Sequence, residues 1–322
     1  WNQTNVAYSR PLRWIVALFG PVVVPFQYAG VSSGRVSQGL RPLGAPPIAI
    51  DSAANYEKMM AGNGIVIDPE KRRQIIRANA AQLAAAKGGT IPDDPALVAE
   101  VTNLVERPTP LLGSFEERYL ELPPEVLIAV MKKHQRYFPV QGANGALLPY
   151  FVAVRNGDSE HLDIVRAGNE HVIHARFADA AFFYGRDIQR KLADFLPDLA
   201  TLTFQSDLGS MLDKVHRLER LAPVVGEMLG LDESQQQVLA RAATLSKADL
   251  VTSMVVEMTS LQGVMGGHYA LRSGEPAAVA EAIAEQYEAV SQTLPGLALA
   301  LADRLDSLTG LTAVGLAPKG SN

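Results

Sequence analysis

Four polar residues in the C-terminal half have the types and order that metal-assisted hydrolysis uses: His216, Asp249, His268 and Asp303. Asp249 and His268 lie nineteen residues apart within the run "TLSKADLVTSMVVEMTSLQGVMGGHYALRSGEP", Thr244 to Pro276. Imidazoles and carboxylates from successive helices can converge on a divalent cation, which polarises a phosphate and lowers the pKa of a bound water. The same residues can equally cap helices or pair locally, and their neighbours favour that. Lys247 and Ala248 precede Asp249 directly, so a competing cation is next door and no imidazole adjoins the carboxylate.

The elements that must position these residues are helical. From about Gly168 onward apolar residues recur at three- and four-residue steps, in "HVIHARFADAAFFYGRD", "LGSMLDKVHRLERLAPVVGEML" and "VLARAATLSKADLVTSMVVEM". Asp232 with Gln235 reads as a capping box, Pro276 opens "AAVAEAIAEQYEAV", and "GLALALADRLDSLTG" closes the pattern. The layout resembles the HD type of metallophosphohydrolase: "KVHRLERLA" matches its first-His helix and "LADRLDSL" the helix with its last Asp. The adjacent His-Asp pair of that type is broken by Ala248. His216, Ala248, Asp249, His268 and Asp303 are therefore read as vestigial HD-type positions, with no metal and no catalytic residue expected. His171 and His174, at i,i+3, lack a third ligand, and Phe177, Phe182, Phe183 and Tyr184 are expected in the core.

The N-terminal half is organised differently. "RWIVALFG", "VVVPFQYAG", "GRVSQGL" and "GIVID" predict short strands between Gly/Pro breaks. Asp68-Pro69 predicts a capped start for the helix "EKRRQIIRANAAQLAAAK", which stops at Gly88-Gly89. "DDPALVAEVTNLVE" and "PPEVLIAVMKKHQ" continue a helical insert over about 69–134, and strands return in "RYFPV" and "PYFVAVRN". The expected fold is an α+β module over 1–190 with that insert, followed by an all-α HD-like domain over 191–322. The opening "WNQTNVAYSRPLRWIV" reads as strand-like, as though excised from a longer chain, and the closing "LAPKGSN" as a loop.

Composition narrows the classes. The chain is 48% apolar and 20% charged, as in ordinary globular proteins. With no cysteine it has no disulfide, iron–sulfur cluster or thiolate zinc site, which is compatible with the cytoplasm. No apolar run is long enough to predict a membrane span. Residues 1–190 hold 20 Lys and Arg against 18 Asp and Glu, and residues 191–322 hold 9 against 16. A polyanion is repelled on average by the second half, so nucleic acid, if it binds, is expected on the first half or through a segment outside this chain that carries most of the affinity.

Within it, "MKKHQRYFPV" (Met131 to Val140) gathers Lys132, Lys133, His134 and Arg136 beside two aromatics. Cations meet phosphates and rings stack on bases, which makes this a candidate RNA-facing patch. It can equally be a solvated helix end whose cations oppose the helix dipole.

Several of these segments together resemble the beta subunit of the bacterial, heterotetrameric type of glycyl-tRNA synthetase. They are "MKKHQRYFPV", "GNEHVIHARFADAAFFYGRD", "LSKADLVTSMVVEMTSLQGVMGGHYA", "EAIAEQY" and "LALADRLDSLTG", in the family's order, with "LQGVMGGHYA" the most specific. The resemblance implies an α+β module similar to one in the large subunit of phenylalanyl-tRNA synthetase, then an HD-like domain that generally lacks a complete metal set. It implies partnership with an alpha subunit, which holds the class II site and uses ATP and Mg, and with tRNA(Gly) rather than DNA or a membrane. The chain matches the central part of that subunit, without an aminoacylation centre or cofactor of its own. Lys132, Lys133, Arg136 and Arg176 are the expected RNA contacts. A working HD-type phosphohydrolase and a purely architectural segment are the alternative functions.

Overall fold

The computed structural model describes residues 4–7 and 12–317, whose contacts group into two compact units. The first comprises residues 1–120 and 130–174, the second residues 121–129 and 175–322. The division thus falls inside a helix at 174/175, where the sequence placed it at 190. Parts of the opening run and most of "LAPKGSN" lie outside the described residues.

Seven short strands open the first unit: β1 (Ile15–Val16), β2 (Leu18–Phe19), β3 (Val22–Val23), β4 (Gln27–Tyr28), β5 (Val31–Gly34), β6 (Val36–Gln38) and β7 (Pro47–Ala49). β5 pairs parallel with β1 and antiparallel with β4, while β2–β3 and β6–β7 pair antiparallel. "GIVID", expected as a strand, joins no ladder. Its Val66 N–H bonds the Glu106 carbonyl at 2.8 Å, and the Arg72 guanidinium takes the carbonyls of Val66 and Ile67 at 2.6 and 2.7 Å.

Helix α1 (Tyr56–Gly62) precedes α2 (Pro69–Ala85) and α3 (Pro95–Leu104). Both longer helices start as their sequences require. Asp68 and Asp94 accept backbone N–H bonds at the N-cap, and a proline follows where no N–H is needed. They cover a four-stranded antiparallel sheet of β8 (Gly89–Thr90), β9 (Pro108–Ser114), β10 (Phe138–Gly142) and β11 (Leu147–Asn156), in the order β8-β10-β11-β9. Ile76, Ala80 and Ala84 of α2 and Leu97, Val98 and Val101 of α3 pack on Phe138, Val140 and Val152.

Segment 69–134 is therefore not a purely helical insert. It supplies β8 and β9, and β9 pairs with β11 from Pro108↔Asn156 to Ser114↔Tyr150. Two prolines in "PTPLLGS" masked the strand pattern. They are tolerated because β9 is an edge strand, where a missing N–H need not break a ladder.

The second unit contains α4 (Pro124–Ala129), the later part of α5 (Leu162–Asp187), and a hairpin of β12 (Thr203–Gln205) and β13 (Gly209–Ser210). Six helices follow: α6 (Met211–Met228), α7 (Glu233–Leu245), α8 (Ser253–Glu257), α9 (Val264–Arg272), α10 (Ala277–Glu285) and α11 (Leu294–Ala313). Capping boxes Ser210–Asp213 and Asp232–Gln235 start α6 and α7. The run "VLARAATLSKADLVTSMVVEM" is not one helix. After Leu245 the chain makes a 3-10 turn, Ala248–Val251, before α8.

Of the aromatics expected in the core, Phe177 is fully buried but Phe182 is 66% exposed. Among the described residues no helix is long and apolar enough to cross a membrane. The mixed strand-and-helix first part and the mostly helical second part agree with the expected order of fold classes.

Candidate functional site

The apolar stripe of α6 contains an exception. Leu218, Ala222 and Val225 are buried at helical spacing, and the same face begins with Lys214, whose side chain is only 3% exposed. Lys214 Nζ lies 3.0 Å from Asp303 Oδ1 and 2.9 Å from Asp306 Oδ2, and donates to Ser307 Oγ at 2.8 Å. A second buried ammonium, Lys247, lies 3.0 Å from Asp303 Oδ2. It also donates to Gln286 Oε1 and to the Tyr287 hydroxyl, both at 2.8 Å, with its Nζ 4.4 Å from the Tyr287 ring centre. Each buried cation thus has a carboxylate and further acceptors, which is what tolerance of a charge in the interior requires. Burial lowers Lys247 below the ordinary lysine range, opposed by Asp303 and Asp249. Asp303 and Asp306 are both lowered: burial pushes them up, and Lys214 with Lys247 or Arg217 more than reverses it.

Asp249 is fully buried in the 3-10 turn, beside Ala248, which is also fully buried. Its Oδ2 accepts the N–H of Gly263 at 2.6 Å and of Gly266 at 3.1 Å, so it caps the start of α9. Its Oδ1 has no hydrogen-bond partner among the described residues. Burial raises this carboxyl to about 6, with the two N–H groups and Lys247 acting in the opposite direction.

This arrangement explains the glycines of "LQGVMGGHYA". Gly263 sits at φ +79°, and a Cβ on Gly266 would lie 2.8 Å from Ile283 Cγ2. On Gly267 it would lie 2.8 Å from the Ala280 carbonyl oxygen. Helices α9 and α10 can approach this closely only if those positions have no side chain.

The two histidines join neither aspartate. His216 is exposed on α6, and His268 Nε2 contacts Glu125 Oε2 at 3.0 Å. Among the described residues no three His, Cys, Asp or Glu side chains are grouped to hold a metal ion. Lys247, between the acidic positions, can balance charge but cannot polarise a phosphate and activate a bound water as a divalent cation does.

The expected RNA patch is rearranged. α4 runs into a π-helical turn, Val130–His134, which carries Lys132 and Lys133. Arg136 follows at φ +56°, a left-handed conformation that costs a non-glycine residue about 1 kcal/mol. Lys132 is paired with Asp94, and Arg136 lies 2.9 Å from Glu100. Lys133 is exposed with no ion pair among the described residues, and so is Arg176 on α5 in the other unit. The aromatics are not available to bases, which corrects the stacking expected from "MKKHQRYFPV". Tyr137 and Phe138 are 7% and 1% exposed, and Tyr137 stacks on Phe151 with ring centres 4.8 Å apart.

Sequence reasoning missed Lys214, Asp306 and Asp187. A lysine inside the α6 stripe was the readable signal for the first. Asp187, at the end of α5, accepts from the N–H groups of Ser253 and Met254 at 2.8 and 2.9 Å and from the Tyr269 hydroxyl at 2.9 Å. Nothing in "GRD" pointed to it.

A family model described as glycyl-tRNA synthetase beta subunit matches residues 1–322. The chain belongs to that family. It is 47% identical over its whole length to the glycine–tRNA ligase beta subunit of Desulforudis audaxviator, covering 48% of that protein. With the beta subunit of Clostridioides difficile it shares 46% identity over 47% of that protein. With the chloroplastic/mitochondrial glycine–tRNA ligase 2 of Arabidopsis thaliana it shares 43% identity, over 31% of that protein. The chain thus spans about half the length of the bacterial beta subunits it matches.

Proposed function

We propose that this chain is the tRNA-handling part of a glycine–tRNA ligase beta subunit, working with an alpha subunit in the cytoplasm and holding no reaction centre or cofactor of its own. ATP and Mg belong, in this reading, to the alpha subunit. The observation that carries it is the match of the whole chain to beta subunits named for this ligase. The helical unit is then an HD-like scaffold in which the Lys214 and Lys247 ammonium groups, anchored on Asp303, stand in place of a metal. Lys133 and Arg176, exposed and with no ion pair among the described residues, are the first-choice phosphate contacts, while Lys132 and Arg136 must give up Asp94 and Glu100 to serve.

The test is tRNA(Gly) binding by the assembled alpha and beta subunits, followed by anisotropy over a salt series. Affinity should fall steeply with salt, and the Lys133→Ala/Arg176→Ala variant should bind more weakly on every tRNA tried. Unchanged binding by that variant removes these contacts, and a beta chain that binds alpha but not tRNA makes the segment architectural. For the phosphohydrolase alternative, a stoichiometric transition metal in the purified protein, or phosphatase activity on adding Mn²⁺, would restore that reading.

A further inference from the structure

A cavity of about 880 Å³ in the first unit lies between α1, the 64–68 segment, the start of α2 and the start of β9. Its size falls within the range of small-molecule sites. Three cations line it from three elements: Lys58 on α1, Lys71 on α2 and Arg107 just before β9. Among the described residues none of the three has a side-chain hydrogen bond or ion pair, and Arg107 is half-buried. The lining also holds two acids, Glu57 and Asp68. Asp68 is already engaged, its Oδ1 accepting the Glu70 N–H at 2.8 Å. Apolar lining comes from Ile65, Ile67 and Ile75.

The site is built rather than incidental. Arg72 fixes the 66–67 wall by donating to both its carbonyls, and its Nε reaches the Thr102 carbonyl at 3.0 Å, so a fourth positive charge stands behind the wall with no carboxylate on it. Gly64, at φ +77°, makes room for the Arg107 guanidinium: a Cβ there would lie 2.9 Å from its Nη1.

We infer that this groove binds a phosphorylated nucleoside, its phosphate on Lys58, Lys71 and Arg107 and its base and sugar against the isoleucine wall. Cations that line one groove from separate elements, with no partner among the described residues, select an anion, and an apolar wall beside them selects an anion with a poorly solvated body. A free mononucleotide and an unpaired nucleotide of an RNA strand share that chemistry. The strand is favoured only through the tRNA-handling reading above, on which that choice rests.

The experiment titrates the full chain with AMP, adenosine, inorganic phosphate and a short unstructured RNA oligonucleotide, in wild type, Lys58→Ala/Lys71→Ala and Arg107→Gln. Both lysines are exposed, so the double variant keeps its fold, and circular dichroism verifies this. AMP or the oligonucleotide should bind, more tightly than phosphate or adenosine, and both variants should weaken it about tenfold or more. AMP binding assigns a free nucleotide; oligonucleotide binding without AMP binding assigns a strand. Equal binding by wild type and both variants, phosphate binding as tight as AMP, or no binding of either probe overturns the inference. The tRNA-handling reading fails separately, through a beta chain that binds the alpha subunit but not tRNA.

Discussion

At the residue scale the chemistry of the helical unit turns on Lys247. It is 1% exposed and holds Asp303, Gln286 and Tyr287 at once, while Gln286 is itself fixed by donating to the Ser246 and Ile283 carbonyls. Removing one partner of a buried pair leaves the other charge uncompensated, at a cost of about 3–5 kcal/mol. Lys247→Met should lower unfolding stability on that scale in a urea titration, and a change below about 1 kcal/mol would show the network to be solvated. Asp249 acts in the opposite sense. With its carboxyl raised to about 6, it binds more protons folded than unfolded from about pH 4 upward to that value. Its contribution to stability therefore falls as pH rises through this window and is level above it. Asp249→Asn removes the effect, so stability should shift in the variant's favour as pH rises from about 4 to 6 and then stay constant. A difference that does not vary with pH would contradict this. Asp303 and Asp306, held below the ordinary range, contribute stability above about pH 4 that is lost as the solution is acidified further.

Between elements, contact depends on where side chains are missing. Gly113 of β9 lies opposite Phe151 of β11, and a Cβ on Gly113 would fall within contact of the Phe151 ring carbons. The ring covers the glycine on one side and stacks on Tyr137 on the other, so it has little freedom to retreat. Gly113→Ala should therefore destabilise the first unit by about 1–3 kcal/mol, read from thermal or chemical unfolding. If the loss is negligible, the ring can shift. In the helical unit the same logic governs "LQGVMGG", where glycines let α9 approach α10 while Asp249 caps its first turn. Asp187 does the corresponding work for α8, from the far end of a 26-residue helix.

For the whole molecule, a net charge of −5 gives no general attraction for RNA, so binding must be local. The surplus of acids lies in the C-terminal part, and many of the cations there are spent on carboxylates, as with Lys214, Arg217 and Arg241. The tRNA salt series therefore counts a few contacts rather than a broad field. Each removed phosphate contact should reduce the slope of log affinity against log salt by roughly 1. A slope unchanged by Lys133→Ala/Arg176→Ala would place the contacts elsewhere on the chain.

Local signals in the sequence determined the capped helix starts at Asp68-Pro69 and Asp232, the helical character of the C-terminal part, and the break in the metal-type pattern at Ala248. Each depends on residues within about one helical turn of one another. Its longer motifs also carried the family. Tertiary structure alone decided the rest. It made β9 a strand despite its prolines, because β11 offered an edge. It buried Tyr137 and Phe138 away from any base, exposed Phe182, and sent His216 and His268 to different surroundings. It also brought Lys214 and Lys247 to Asp303 across 89 and 56 residues of chain. The pairing of charges so far apart in sequence carries no local signature, even where a lysine in an apolar stripe marks one partner. Only packing decides whether an aspartate in this scaffold meets a metal or an ammonium.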